Sequence, residues 1–406
     1  MNTYPQATIT EKGEKLLRGG HVWVYADEVL SVDAPYENGD LVKVLSGKGK
    51  FLGCGFINDH SKIRIRIVST NANDRFDNAF WERRVHYALD YRRCVMGRDF
   101  SCCRLIFGEA DGFPGLTVDR FGEVLVAQVL SLGIERIKNI IFDMIVKSIT
   151  ESGENITALY ERNDVAIREL EGLTQYTSYY SSPVLASDGS GITEIEENGI
   201  KYRVDYQNGQ KTGFFLDQKY NRRAAATLAR GKKVLECFTH TGSFALNLAA
   251  AGAQKVTAVD ISADALETAG YNARLNSLED KIDFVCADVF DLLTELVKKG
   301  EHPYDYILLD PPAFTKSRST LKNAIAGYRE INYKAMKLLP RGGYLATCSC
   351  SHFMTGTYFR QMLHNAAADA GVSLRQIEAR QQSPDHPILW NVPETDYLKF
   401  YLFQIV

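Results

Sequence analysis

The sequence is poor in the features that mark membrane-spanning, secreted or disulfide-linked proteins. No stretch reaches the roughly 18 consecutive apolar residues that a membrane-spanning helix needs, so no membrane partner is expected. The first residues lack the basic and apolar segments of a secretory signal, which predicts a cytoplasmic protein. The eight cysteines are scattered and form no pair of CxxC motifs, so neither a disulfide scaffold nor a structural zinc module is expected.

The excess of charge is also small. Lysine and arginine total 47 against 50 aspartates and glutamates, a formal net charge of −3. This balance excludes a polycation that binds nucleic acid over its whole surface, but it leaves room for a local basic face. Residues 62–104 contain ten lysines and arginines against five acidic residues. They predict either a helix with solvated arginines or a face that contacts RNA.

The 406 residues predict two or three domains. Short apolar runs broken by glycine turns predict a small β-barrel or sheet over 1–73. Within it, Ile63 to Ile67 alternates strictly and places Arg64 and Arg66 on one strand face, turned toward water or phosphate. A helix over 76–96 and alternating strands and helix to residue 180 predict a middle α/β domain, 74–188. A hairpin over 192–206 and βαβ units predict an α/β domain over 189–406.

Five strands are predicted in the last 200 residues, at 233–236, 255–260, 282–286, 304–310 and 343–348, and the first four end in or just before an acidic residue. These residues are Glu236, Asp260, Asp288 and Asp310. Because the carboxyl ends of parallel strands form the ligand crevice of an open α/β sheet, we expect the four carboxylates to line one rim. The alternative is that these carboxylates only cap the N-termini of the following helices, and this alternative carries most weight for Asp288.

The turn after the first of these strands indicates the kind of ligand. The G-x-G-x-x-G of dinucleotide-binding proteins is absent. Instead Cys237 to Phe244 leads into a helix, and Gly242 allows close backbone approach to a ligand. Asp260 has the chemistry to accept both hydroxyls of a ribose. These features predict a cofactor that contains a nucleoside but no pyrophosphate.

A rigid turn and a cysteine pair follow the last two strands. Asp310 to Phe314 reads Asp-Pro-Pro-Ala-Phe, and its two prolines fix an exposed loop that suits a planar group. Asp310 can accept from an amino group, and Phe314 can pack on a ring. The segment Thr347 to His352 contains two thiols, which are candidate nucleophiles facing the same crevice. Metal binding by Cys348, Cys350 and His352 is disfavoured because no fourth ligand is visible.

These segments resemble class I S-adenosylmethionine (SAM) dependent methyltransferases. The segments are Lys211 to Gln218, Glu236 to Gly242, Asp260, Asp288, Asp310 to Phe314 and Ser349-Cys350-Ser351. More narrowly, Glu109 to Arg120, EADGFPGLTVDR, resembles the signature of the bacterial 23S rRNA cytosine-5 methyltransferase family. The resemblance runs almost end to end. It implies a PUA-like β domain, a middle α/β domain and a C-terminal Rossmann-like class I methyltransferase sheet.

The resemblance also implies ligands and site residues. SAM is the implied cofactor and naked 23S rRNA the implied partner, while a monomer and a homodimer both remain open. The implied cofactor-binding residues are Gln218, Glu236, Cys237, Phe238, Gly242, Asp260, Ile261, Asp288, Val289 and Asp310. Lys211, Phe215 and Phe314 are the implied substrate contacts. Glu236 stands where the family usually has Asp, a departure that we expect to change cofactor affinity and not identity.

The implied reaction requires a reactive cysteine. Carbon 5 of cytosine becomes nucleophilic only after a thiolate has added to carbon 6. Cys350 matches this family, whereas Cys348 matches the wider cytosine-5 RNA methyltransferases, and Cys350 is preferred. Asp310 is expected to pair with the edge of the flipped base. The alternatives are methylation of a guanine ring nitrogen such as N7, which needs no cysteine, and a non-catalytic RNA-binding assembly factor.

Overall fold

The computed structural model describes residues 4–182, 185, 189–315 and 317–406. The backbone divides into two compact units. Unit 1 comprises Met1–Ile195, Val204–Leu216 and Pro384–Thr395, and unit 2 comprises Glu196–Arg203, Asp217–Ser383 and Asp396–Val406. The three domain boundaries given above stay a prediction. Among the described helices, none is long and apolar enough to cross a membrane.

Unit 1 begins with a six-stranded sheet of order β2-β6-β5-β4-β1-β3. Its elements are β1 (Gln6–Ile9), α1 (Glu11–Arg18), β2 (Trp23–Val24), β3 (Val29–Val32), β4 (Leu41–Ser46), β5 (Phe51–Ile57) and β6 (Ile65–Ser69). Helix α1 was not expected from the sequence. Thr10 caps it, since its hydroxyl accepts from the N–H of Gly13 at 3.2 Å. With eight residues and only Gly13 and Leu17 buried, α1 is too short to show a helical period.

A five-stranded sheet of order β11-β10-β9-β8-β7 follows. Its elements are α2 (Asn78–Met96), β7 (Cys102–Phe107), β8 (Leu116–Phe121), β9 (Val124–Val129), α3 (Leu132–Glu151), β10 (Ala158–Asn163) and β11 (Tyr176–Tyr179). Helix α3 joins β9 to β10, which are parallel. The helix expected at 76–96 is α2, and Asp77 caps its N-terminus by accepting from Phe80 N–H at 3.0 Å.

The alternation at Ile63 to Ile67 predicted that Arg66 faces water or phosphate, and for Arg66 this prediction is wrong. Its side chain is 11% exposed and lies between two carboxylates, donating to Glu109 at 3.0 Å and to Glu171 at 2.8 Å. Arg92 is likewise fully buried and binds Asp111 at 2.5 and 2.7 Å. These arginines of the basic stretch therefore form internal ion pairs instead of facing water or phosphate.

Strands β12 (Ile192–Glu197) and β13 (Ile200–Asp205) form a hairpin. Asn198 and Gly199 turn it with φ of 55° and 77°, the conformation that Asn-Gly turns adopt. The predicted hairpin over 192–206 agrees with these bounds.

Unit 2 contains a seven-stranded sheet of order β16-β15-β14-β17-β18-β20-β19. Its elements are α4 (Lys219–Ala226), β14 (Lys233–Cys237), α5 (Ser243–Ala250), β15 (Lys255–Asp260), α6 (Ala263–Leu275), β16 (Ile282–Cys286), α7 (Val289–Lys299), β17 (Tyr306–Leu309), α8 (Leu321–Leu338), β18 (Tyr344–Ser349), α9 (Gly356–Ala370), β19 (Leu374–Arg380) and β20 (Lys399–Ile405). Strands β14 to β18 are parallel and β20 is antiparallel. The strand order reverses at β14, where a ligand crevice is expected. The expected Rossmann-like sheet is confirmed.

Candidate active site

The turn after β14 is tightly wound. Phe238, His240 and Gly242 all have positive φ, at 68°, 51° and 81°. Such a backbone is strained for the two residues that carry a side chain, and strain of this kind collects at ligand sites. A Cβ on Gly242 would lie 3.0 Å from Cβ of Ala269. The glycine therefore allows this turn to pack closely against α6, while α5 begins at the next residue.

Glu236 is a buried carboxyl group in β14. It is 1% exposed, and among the described atoms its Oε2 has no hydrogen-bond partner. Burial raises the pKa of Glu236 to about 8, and the charges of Asp310 and Asp260 add to the effect. A ligand ammonium would satisfy Oε2 and favour the ionised form. The residue thus fits the amino-acid end of SAM.

Asp260 ends β15 with its carboxylate held in place. Oδ2 accepts from the N–H of His240 at 2.8 Å, and Oδ1 accepts from the N–H of Ser262 at 3.0 Å. Each oxygen keeps a further lone pair, so the carboxylate fits a ribose with two hydroxyls. Ile261 beside it is 70% exposed.

Asp288 is the N-cap of α7, as the alternative reading had it. Its Oδ1 accepts from the N–H groups of Phe290 at 2.7 Å and Asp291 at 3.3 Å. Capping α7 is a sufficient structural reason for an aspartate at this position. Cofactor binding by Asp288 and the buried Val289 stays a prediction.

Asp310 follows β17 and contacts Gln218. Gln218 Nε2 donates to Asp310 Oδ1 at 2.9 Å, while Asn221 Nδ2 donates to Gln218 Oε1 at 2.7 Å and so fixes the amide. Burial raises the pKa of Asp310 to about 7, the charge of Asp217 adds to the rise, and Arg222 opposes it. Asp310 therefore changes protonation near neutral pH.

The two candidate thiols have different surroundings. Cys348 lies in β18 and is fully buried, and burial with the nearby Asp310 charge raises its pKa well above the ordinary value. The strand ends at Ser349, so Cys350 lies in the following turn and not on a shared strand with Cys348. Cys350 is partly exposed, with Sγ 3.9 Å from the carbonyl oxygen of Pro311.

The Cys350 turn is attached to its neighbours on two sides. Ser351 Oγ donates to the carbonyl of Thr315 at 3.0 Å, which connects the turn to the Asp-Pro-Pro loop. Lys399 Nζ donates to the carbonyl of Ser351 at 2.6 Å. Sequence reasoning missed Lys399, although one charge inside the apolar run Tyr397 to Phe403 was a visible signal.

The three predicted substrate residues lie in different places. Phe314 packs on Tyr328 of α8, with ring centroids 4.5 Å apart, and lies partly buried against the core of unit 2. Lys211 and Phe215 belong to unit 1, where Lys211 Nζ lies 5.0 Å from the centroid of the Phe215 ring. Phe214, next to Phe215, is buried. Substrate contact by Lys211, Phe215 and Phe314 stays a prediction.

Within the described residues, no group of three or more His, Cys, Asp or Glu side chains is placed to hold a metal ion. The site fits a cofactor that contains a nucleoside and an amino-acid end. Asp260 can accept the two hydroxyls of a ribose, and the buried Glu236 can accept an ammonium group at the same edge of the Rossmann-like sheet. A family model for S-adenosylmethionine-dependent methyltransferases matches residues 160–404, and a model for PUA-like domains matches residues 7–70. The fold and site define a SAM-dependent methyltransferase with a PUA-like domain.

Relatives are similar over their whole length. Ribosomal RNA large subunit methyltransferase I of Klebsiella pneumoniae (strain 342) is 37% identical over 405 residues, 99% of this chain and 99% of that protein. The protein of the same name from Pseudoalteromonas atlantica is 39% identical over 403 residues, again 99% of both. The chain belongs to the family of ribosomal RNA large subunit methyltransferase I.

Two solved structures share the fold. SMU.776 complexed with SAH has a TM-score of 0.83 at 20% sequence identity, covering 98% of this chain and 99% of that chain. A structure from Streptococcus mutans has a TM-score of 0.81 at 21% identity, with the same coverage. The expected fold class and the SAM cofactor are confirmed.

Proposed function

We propose that this protein transfers a methyl group from SAM to carbon 5 of a cytosine in 23S rRNA, with Cys350 as the nucleophile. The names of the relatives support a large-subunit ribosomal RNA substrate. The observation that carries the choice of base is the partly exposed thiol of Cys350 beside the Asp-Pro-Pro loop. Methyl transfer to a guanine nitrogen would need no thiol beside this loop.

The chemistry follows from the weak nucleophilicity of cytosine carbon 5. The thiolate of Cys350 adds to carbon 6, and the electron pair of the double bond between carbons 5 and 6 moves onto carbon 5. When bound, SAM supplies an electrophilic methyl group. A base then removes the proton from carbon 5, the bond between sulfur and carbon 6 breaks, and the thiolate leaves as the ring double bond returns.

The remaining site residues have separate roles in this proposal. Glu236 and Asp260 hold the amino-acid and ribose ends of the cofactor, and Gln218 and Gly242 line the same rim. Asp310 accepts from the exocyclic amine of the flipped base. Cys348, fully buried in β18, is a structural thiol. Lys211, Phe215 and Phe314 contact the RNA.

The test is to incubate the purified protein with methyl-labelled SAM and unmodified 23S rRNA, then digest the RNA and identify the labelled nucleoside. Label in 5-methylcytidine supports the proposal. Label in a methylated guanosine would retain the cofactor and overturn the choice of base. Deproteinised rRNA and intact large subunits are compared in parallel, and we expect the naked RNA to accept more label.

A further inference from the structure

Lys399 is a buried cation next to the cysteine turn. It begins β20 and is 6% exposed. Its ammonium donates to two backbone carbonyls, Ser351 at 2.6 Å and Tyr397 at 2.7 Å. Carbonyl oxygens solvate the group but carry no net charge. Among the ion pairs of the described residues, none includes Lys399, so the buried positive charge is not neutralised by a carboxylate in direct contact.

The position of Lys399 is set by the sheet. Lys399 is paired directly with Ser349, the last residue of β18, and its side chain reaches the carbonyl of Ser351. Cys350 is the residue between these two contacts. The backbone of Lys399 thus pairs with the residue before Cys350, and its ammonium contacts the residue after Cys350.

The titratable groups around this turn come from several elements. They are Asp396 ahead of β20, Tyr328 on α8, Cys348 on β18 and Asp310 after β17. Lys399 is the cation among them. Burial lowers the pKa of Lys399 to about 8, while the charges of Asp396 and of the Cys350 thiolate act to raise it. Because the interaction between two charges is mutual, the ammonium favours the thiolate of Cys350 over its thiol.

We propose that Lys399 is a positioning residue that keeps the Cys350 turn in place and stabilises the Cys350 thiolate. Cys350 loses the proton on sulfur to the solvent and sulfur keeps the electron pair, next to an ammonium that remains protonated at neutral pH. The use of this thiolate on a base rests on the proposed function. Its stabilisation does not, because it is a property of the protein alone.

The test is the pH profile of alkylation by iodoacetamide, measured without RNA or SAM. Peptide mass spectrometry separates Cys350 from Cys348 by fragmentation, and the exposed Cys94 is the internal reference. We expect Cys350 in the unmodified protein to react with a midpoint at least ~1 pH unit below the ~8.5 of an ordinary cysteine. A midpoint at or above that value would overturn the proposal, whatever any variant does.

Two variants separate charge from position. Lys399→Gln keeps a donor for the carbonyls and removes the charge, and we expect the Cys350 midpoint to rise by roughly 1 pH unit or more. Lys399→Arg keeps the charge and should restore a low midpoint. The Cys94 profile should be the same in all three proteins. An unchanged Cys350 midpoint in Lys399→Gln would reduce Lys399 to a structural donor.

This experiment also separates the inference from the proposed function. If the Cys350 thiolate is stabilised but the labelled nucleoside is a guanosine, the inference holds and cytosine is not the methylated base. A protein that makes 5-methylcytidine with an unshifted Cys350 would do the opposite. Calorimetric binding of SAM, which Lys399 does not touch in this assignment, reports whether each variant is folded.

Discussion

Gln218 donates a hydrogen bond from Nε2 to Oδ1 of Asp310 at 2.9 Å. The donor favours the ionised carboxylate, whereas burial disfavours it more strongly and raises the pKa of Asp310 to about 7. The ionised carboxylate is the better acceptor for a base amine, because protonation turns one of its two oxygens into a donor. The balance between this hydrogen bond and burial therefore decides the pH at which both oxygens of Asp310 can accept.

Gln218→Leu should move the acid side of the pH profile of kcat/KM to higher pH. Without the donor, the neutral form of Asp310 is favoured further, so a higher pH is needed to ionise it. We expect a displacement of roughly 0.5 to 1 pH unit, in line with the loss of one hydrogen bond to a charged group. Gln254→Leu, at an exposed position, is the control. An acid limb that stays in place would mean that Asp310 is not the group that limits activity.

Asp260→Ala should weaken SAM binding directly. The variant removes a carboxylate that the N–H groups of His240 and Ser262 hold in one orientation. Losing two charge-assisted hydrogen bonds to a ligand predicts at least a tenfold rise in Kd. Calorimetry measures it, with Asp264→Ala on the exposed first turn of α6 as the matched control. Equal affinities of the two variants would remove Asp260 from the cofactor site.

Glu236→Gln should stabilise the ligand-free protein at alkaline pH and weaken SAM binding. Because the folded pKa of Glu236 is raised from 4.5 to about 8, the glutamate costs stability as pH rises from about 5 to 8. Below about pH 4.5 both states are protonated and the cost vanishes. The melting temperature of the variant should therefore exceed that of the parent at pH 8 and match it near pH 4.5. An equal difference at both pH values would contradict this account.

The sequence predicted five of the seven strands in the sheet of unit 2, because β14 to β18 are short apolar runs that end at an acidic residue or a turn. Strands β19 and β20 were not predicted. The bounds of β15 and β16 agree with prediction to the residue. The predicted strands at 304–310 and 343–348 are β17, Tyr306–Leu309, and β18, Tyr344–Ser349. Strand β18 ends one residue later than predicted, at Ser349, and Cys350 still lies beyond it, apart from Cys348.

Partners distant in the sequence could not be predicted. Nothing near Arg66 indicates that Glu109 and Glu171 surround it, and nothing near Ser351 indicates Lys399, which lies 48 residues further along the chain. Local alternation reports which face of a strand a residue occupies. It does not report whether that face meets water or another part of the same unit, and a buried ion pair has the same local pattern as a solvated one.

Cys350→Ala should abolish methyl transfer and retain SAM binding, because the thiol acts on the base and not on the cofactor. Cys348→Ala should keep most of the activity, since it removes a buried thiol with no assigned chemistry. We expect a loss of at least 100-fold in kcat for the first variant and less than about 3-fold for the second. Labelled-methyl transfer and calorimetry give both readings. Activity lost only in Cys348→Ala would reverse the assignment of the nucleophile.

Asp119→Ala should destabilise unit 1. The carboxylate is fully buried, accepts from Arg104 at 2.7 and 2.8 Å, and accepts from the hydroxyl of Thr212 at 2.6 Å. Removing it takes away the carboxylate that pairs with the guanidinium of Arg104, which is 15% exposed. A cost of about 3–5 kcal/mol is expected for breaking such a pair. The family signature Glu109 to Arg120 is thus explained in part by the ion pairs that it forms.

The fluorescence of tryptophan in urea measures this cost in unit 1 alone. All three tryptophans, Trp23, Trp81 and Trp390, belong to that unit. Glu82→Ala is the control, because Glu82 forms an exposed pair with Lys147 at 3.5 Å and should change stability by less than about 1 kcal/mol. If the two variants unfold at the same urea concentration, the buried pair of Asp119 and Arg104 does not stabilise unit 1.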